Sequence, residues 1–422
     1  MFGNFLSLGG VVGGIFLLQA GNSLFATFLA LRMTLAHFGT AVIGLVVTGY
    51  PLGFLVGCLL APSMVRAVGH IRTFAALAAV LSSAALCFAL WVDPIYWAIL
   101  RLLTGFAAAG LFMVGESWLN EKTPRQMRGK VFALYMISNM TAVSGSQLLL
   151  GVADPAGPTF YMICAGLFSA CLIPIAMTRA SAPAVPTVAR LGIRALYRLS
   201  PLGVVGCIVT GLANTAVGGL GPVFASRLGA DNAQVGTFMA FLLFGGMLLQ
   251  WPIGRLSDRF DRRRVLIAVA AMESLAAFAL AWFGTSSWPV LLALVTLFGG
   301  LAYTLYPLSL SHANDYAEST QVVAVSSGLL LFWAAGSILG PTLAGTAMGF
   351  VGPTGLFYYV SAVTAALAGF GVWRMTRRPP KPVDLQAPFV AQAQTSPAAA
   401  ALDPRAVRPA MGEPVNMVES GP

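Results

Sequence analysis

Apolar runs of about 20 residues recur along this chain, and at roughly 1.5 Å per helical residue each one can cross a hydrocarbon layer about 30 Å thick. Twelve are laid out, at 6–31, 41–61, 73–92, 95–117, 131–152, 159–178, 201–222, 235–253, 265–284, 288–312, 322–351 and 355–375. A soluble core could not hide so much apolar surface, since 58% of the 422 residues are hydrophobic and 9% are charged. The fold class that follows is an all-α integral membrane protein with twelve transmembrane helices.

A net charge of +10 would suit nucleic acid in a soluble protein, but the positions of the charges exclude that partner. Of the 24 Lys and Arg, 15 lie in the even-numbered connections: Arg66 and Arg72; Lys122, Arg125, Arg128 and Lys130; Arg179, Arg190, Arg194 and Arg198; and five in GRLSDRFDRRRV, Gly254 to Val265. The odd-numbered connections keep only Arg32 and Arg227. The positive-inside rule therefore places the crowded side and both termini in the cytoplasm. Arg32, after a start without charge, argues the other way for the first helix alone, and the later loops outweigh it.

An internal repeat runs at an offset of 192. Asn22 matches Asn214, Ile43-Gly44 matches Val235-Gly236, Gly53 matches Gly245, and Pro62 stands where Gly254 opens the later loop. Six helices repeated as six in the same orientation predict two bundles, with a solute site between them near the bilayer midplane. The domains expected are a bundle at 1–178, a linker at 179–200 with a short amphipathic helix near 191–199, a bundle at 201–375, and a disordered Pro/Ala-rich cytoplasmic tail at 376–422.

The stretches QWPIGRLSDRFDRRRV, GESWLNEKTPRQMRGKVFALYM, TLYPLSLSHAND and GSILGP carry a likeness to a known family. In them the sequence resembles the major facilitator superfamily of transporters, and within it the YcaD-like permeases of bacterial inner membranes. In this superfamily the G-x-x-x-D-R-x-x-R-R loop follows both the second and the eighth helix. Here the second copy is nearly intact, with Asp261 where glycine is common, and the first is degraded to Pro62, Arg66 and Ala67. The resemblance implies an inner-gate element of Gly254, Asp258, Arg259, Arg262 and Arg263.

Asp258 is expected to reach the unpaired N–H groups that open the eleventh helix. Asp315 and Glu318, in the one acidic loop on that side, are plausible partners for the arginines. In the first half the signs are reversed, and Arg66 is expected to meet Glu116 or Glu121, with Arg128 in the same loop. Arg101 lies two turns into the fourth helix; it either faces a cavity or a carboxylate, or snorkels to the outer interface. Glu116 and Glu273 are the intramembrane carboxylates and the candidates for carrying a proton.

Polar residues on helices 1, 4, 7 and 10 are the cavity candidates, since the resemblance makes these the lining helices: Gln19, Asn22, Arg101, Asn214, Thr215, Tyr303 and Tyr306, with Gln147 on the fifth helix. Each could equally be ordinary helix packing. Cys58, Cys87, Cys164, Cys171 and Cys207 fall inside apolar runs and are read as packing residues. No Ser/His/Asp set, metal-spaced cluster or phosphate-cradling loop stands in the sequence, so neither enzyme nor cofactor is expected. The expected function is secondary active transport of a small solute by alternating access, coupled to protons and directed outward, by a monomer in the bacterial inner membrane. The competing reading is a receptor or scaffold that kept the fold without transport.

Overall fold

A computed structural model describes residues 2–402 apart from 124–126, 178–190, 285, 319, 378, 380 and 393; the side chains of 2–8, 122, 128, 401 and 402 also lie outside the description. The described chain is helical throughout its spans: α1 (Phe2–Leu35), α2 (Thr40–Val68), α3 (His70–Cys87), α4 (Pro94–Lys122), α5 (Arg128–Gln147), α6 (Thr159–Ala170), α7 (Leu172–Ala176), α8 (Ile193–Leu199), α9 (Pro201–Arg227), α10 (Asn232–Arg259), α11 (Arg262–Phe283), α12 (Trp288–Asn314), α13 (Val322–Val351) and α14 (Gly355–Met375).

Eleven of the spans are long and apolar enough to cross a membrane, with α6 and α7 together making one of them. The twelfth is α5, whose 20 residues carry Ser138, Asn139, Ser144, Ser146 and Gln147 and are therefore less apolar. Its polarity has a structural cause: Asn139, Ser146 and Gln147 are buried among other helices and do not meet lipid.

Short polar residues set where the spans begin. Asp93 accepts the Tyr96 N–H at 2.8 Å and Pro94 follows at the first turn of α4. Asp231 and Gln234 form a reciprocal capping box at α10. Asp261 accepts the Arg263 N–H at 3.0 Å and so caps α11, which accounts for an aspartate where the loop motif commonly has glycine. The short helix expected near 191–199 is α8, with Leu196 buried between exposed Ile193 and Tyr197.

The halves repeat one another in packing. In the first, α2 lies on α4, α1 on α5, and α3 on α4 and α6; in the second, α10 lies on α12, α9 on α13, and α11 on α12 and α14. The tightest crossing is repeated at residue level. A Cβ on Gly53 or Gly105 would collide with the carbonyl of Leu102 or Tyr50, and one on Gly245 or Gly299 with the carbonyl of Thr296 or Leu242. Glycine at these four positions is what lets the backbones touch.

The halves meet through α2 on α13, α5 on α10 and α1 on α9. The first two contacts lie away from the face that carries the basic loops. There Thr48 Oγ1 donates to the Ile338 carbonyl at 3.0 Å and lies 3.0 Å from Thr342 Oγ1. Gly44 rests on the Pro341 carbonyl, Gly345 on that of Thr40, and Gly236 on that of Gln147. At the basic face no extensive direct packing joins α4 or α5 to α12 or α13 among the described residues.

The space there is filled by the tail, and this corrects the expectation of disorder from residue 376. The turn at Pro397–Leu402 packs against both α4 and α13. Val390, Ala398, Ala399 and Ala400 are buried. Composition predicts that such a segment cannot fold alone; the spans supply the apolar surroundings that it lacks. Residues 403–422 lie outside the described residues.

Candidate functional site

Between the bundles, near the middle of the spans, lies a cavity of about 220 Å³. Five residues expected from sequence line it: Gln19 and Asn22 from α1, Arg101 from α4, Thr215 from α9 and Tyr303 from α12. Tyr50 and Pro51 of α2 and Met239 and Leu243 of α10 complete much of the wall. Arg101 is its one charged lining residue. The side chain is 3% exposed, its guanidinium carbon stands 5.2 Å from the Tyr50 ring centroid, and its Nε meets no acceptor among the described residues. A buried guanidinium over an aromatic face, with no carboxylate in the wall, leaves an electropositive spot in a chamber of mixed polar and apolar lining.

The other cavity candidates are placed around that chamber. Gln147 lies behind the wall, where its Nε2 donates to Ser23 Oγ at 2.6 Å. Asn214 Nδ2 donates to the Ala302 carbonyl at 3.3 Å and ties α9 to α12. Tyr306 is buried in a separate apolar cluster, edge-on to Trp333 at 6.3 Å between centroids. Glu273 is fully buried in α11, and neither of its oxygens meets a hydrogen-bond donor among the described residues. Tyr50 is the residue that sequence reasoning missed. An aromatic in an apolar run reads as packing, and the only signal was its place beside Pro51 in a chain where Arg101 needed a partner.

A second polar cluster sits at the basic face. Arg262 is 1% exposed, and its Nη1 donates to both oxygens of Asp315, at 2.7 and 2.8 Å. Its Nη2 donates to Asp258 Oδ1 at 2.9 Å and to the Ala387 carbonyl at 2.7 Å. Asp258 also accepts the Phe389 N–H at 2.8 Å, so it is the tail that it holds, and the expectation that it reaches the start of the eleventh helix, α13, is corrected. Gly254 lies under the Phe389 ring, which a side chain there would displace. Arg263 pairs with Asp261 at 3.0 Å. Arg259 and Glu318 are exposed and form no ion pair among the described residues.

Burial pushes the Asp315 carboxyl up from its ordinary value, against the pull of Arg262, the Ala387 N–H and Lys381. At Asp261 burial also pushes up, but the hydrogen bonds and charge of Arg263 outweigh it and hold that carboxyl below its ordinary value.

In the first half the expected contact of Arg66 with Glu116 is absent. Arg66 is exposed at the end of α2, and Glu116 is fully buried in α4. Tyr135 donates to Glu116 Oε1 at 2.6 Å, and the tail hydroxyls of Thr395 and Ser396 donate to its two oxygens. A buried carboxylate needs donors, and here neutral hydroxyls supply them. Glu121 is exposed. The side chain of Arg128 lies outside the described residues.

Comparison with known proteins agrees with this architecture. The profile of the Major Facilitator Superfamily matches residues 11–224 and 203–409. The chain is 29% identical over 364 residues to the uncharacterized MFS-type transporter YcaD of Escherichia coli O139:H28 (strain E24377A / ETEC), covering 84% of this chain and 92% of that one. The YcaD of Shigella sonnei (strain Ss046) matches to the same extent. Among solved structures, the nucleoside transporter NupG superposes with a TM-score of 0.73 at 14% identity, over 90% of this chain and all of that one. A D-xylose-proton symporter superposes with a TM-score of 0.63 at 15% identity, over 86% of this chain and 96% of the other. Twelve spans in two repeated bundles around a central cavity, and a family match across both halves, make this multi-pass membrane chain a member of the Major Facilitator Superfamily.

Proposed function

We propose that this protein is a secondary active transporter that moves a small solute across a bacterial inner membrane by rocking its two bundles about the Arg101 cavity. The carrying observation is the chamber itself: both bundles contribute to one space near the midplane, with a mixed polar and apolar wall whose one charged residue is a buried arginine. Rocking about such a site changes which side it faces without moving the site. The basic loops, by the positive-inside rule, put the 254–265 loop and both termini in the cytoplasm.

An arginine without a carboxylate partner in the wall favours a solute with a carboxylate or another electron-rich group, held beside the neutral donors and acceptors of Gln19, Asn22, Tyr50 and Tyr303. For proton coupling we assign Glu116. It lies fifteen residues beyond Arg101, about 22 Å along α4, so the solute and proton sites share a helix without touching. Glu273 takes second place because it lies on α11, which contributes no residue to the cavity, whereas Glu116 shares α4 with Arg101.

The test is uptake into liposomes holding the purified protein, with a panel of organic acids, sugars and nucleosides under an imposed pH gradient. One class of solute moves with protons, vesicle orientation gives the direction, and Arg101→Gln lowers the flux by roughly tenfold or more, the equivalent of about 1.4 kcal/mol. Saturable binding without flux across the panel would support the receptor reading instead.

A further inference from the structure

We infer that the basic face of the bundle pair is a binding site for the chain's own tail, residues 386–392 and 394–400, and that the seated tail props the two halves apart at that face. The bonds fall into two groups, one to each half. To the second half, the Ala387 N–H donates to Asp315 Oδ1 at 3.1 Å, the Ala387 carbonyl accepts from Arg262, and the Phe389 N–H donates to Asp258. To the first half, Thr395 and Ser396 donate to Glu116, and the Pro397–Leu402 turn lies between α4 and α13.

The specificity resides in two features. Asp258, Arg262 and Asp315 read main-chain groups, so they hold the segment in register whatever its side chains are. Glu116 reads hydroxyls: it is wholly buried, it already accepts from Tyr135, and a second acid brought beside it would be repelled while a hydroxyl satisfies it.

The mechanical consequence comes from where the halves already touch. Away from the basic face they are closed through Thr48 with Thr342 and Gly44 with Pro341. Rocking to the other state must open that end and bring α4 and α5 toward α12 and α13. A seated tail fills the space that this movement needs, so its release precedes closure. The occupancy stands without any assumption about solute, whereas its effect on transport rests on the function proposed above.

Both parts are tested in the full chain with its five cysteines replaced by serine or alanine. For occupancy, Ala399→Cys is exposed to a membrane-impermeant maleimide in inside-out vesicles. With the tail seated, this position, 1% exposed, reacts at least about tenfold slower than it does after Thr395→Asp with Ser396→Asp. Equal rates overturn the occupancy. For propping, Thr48→Cys with Thr342→Cys is cross-linked by mild oxidation; the pair forms a disulfide readily in the parent and several-fold more slowly with the two aspartates. A rate that does not change overturns the propping. Should the substituted chains fail to fold, hydrogen exchange on the unaltered protein decides occupancy. Amides of 386–392 and 394–400 exchange at least about tenfold slower than in a synthetic peptide of residues 379–402, and equal exchange overturns it.

Discussion

Arg262 and Asp315 form a buried ion pair in which a single guanidinium nitrogen reaches both carboxylate oxygens, at 2.7 and 2.8 Å. The second nitrogen bonds Asp258 and the tail carbonyl, so one side chain joins the end of α10, the start of α11, the loop after α12 and the tail. Removing one partner strands the other charge. Arg262→Ala is expected to destabilise the protein by about 3 to 5 kcal/mol. Arg262→Met combined with Asp315→Leu recovers most of that loss, because no buried lone charge remains and the carboxylate of Asp258 is open to solvent. Thermal melting of both proteins in detergent checks the pair; a double variant as unstable as the single one would count against the account.

The glycine crossings give a prediction with an internal control. At Gly53 and Gly245 an added methyl meets backbone carbonyls of the partner helix, which cannot rotate away. Gly53→Ala or Gly245→Ala is expected to lose about 1 to 3 kcal/mol through overpacking. Gly166, exposed in α6 with nothing near its missing Cβ, is expected to gain about 0.5 to 1 kcal/mol on change to alanine. Melting curves that show the same shift at all three positions would refute the distinction.

How much of this was legible in the sequence differs by feature, and the difference has a physical basis. Span length and charge sidedness were visible because lipid imposes them residue by residue. Arg101 stood out because a charge inside an apolar run is expensive enough to demand a reason. Beyond Tyr135 and Arg262, the partners of Glu116 and Asp258 were hidden. They come from the tail, about 130 or more residues away along the chain, in a segment whose composition alone predicts no structure. The degraded first loop copy gave the expectation that the halves differ at the basic face. It pointed to Arg66 as a partner of Glu116 or Glu121, and at Glu116 hydroxyls stand in that place.

Opposite pH signatures are expected from two aspartates of the same face. The Asp261 carboxyl lies below its ordinary value, so its contribution is present above the unfolded value of about 3.9 and is lost as pH falls through the folded one. Asp315 lies above its ordinary value, so its contribution is present below about 3.9 and is lost as pH rises through the folded one. Melting between about pH 3 and pH 6 should therefore show Asp261→Asn losing more relative to the parent as pH rises, and Asp315→Asn the reverse trend. The same slope for both variants would exclude the assignment.

Glu273 separates burial from function. Its carboxyl is enclosed in α11 with no donor to either oxygen among the described residues, and it lines no part of the Arg101 cavity. A group placed this way opposes folding whenever it is charged. Glu273→Gln keeps the shape and removes the charge, so it is expected to raise the melting temperature by a few degrees, equivalent to about 1 kcal/mol. If the residue has no part in coupling, solute-driven proton movement in liposomes stays as in the parent, while Glu116→Gln abolishes it. Loss of coupling in Glu273→Gln, in protein that melts normally, would move the proton site from α4 to α11.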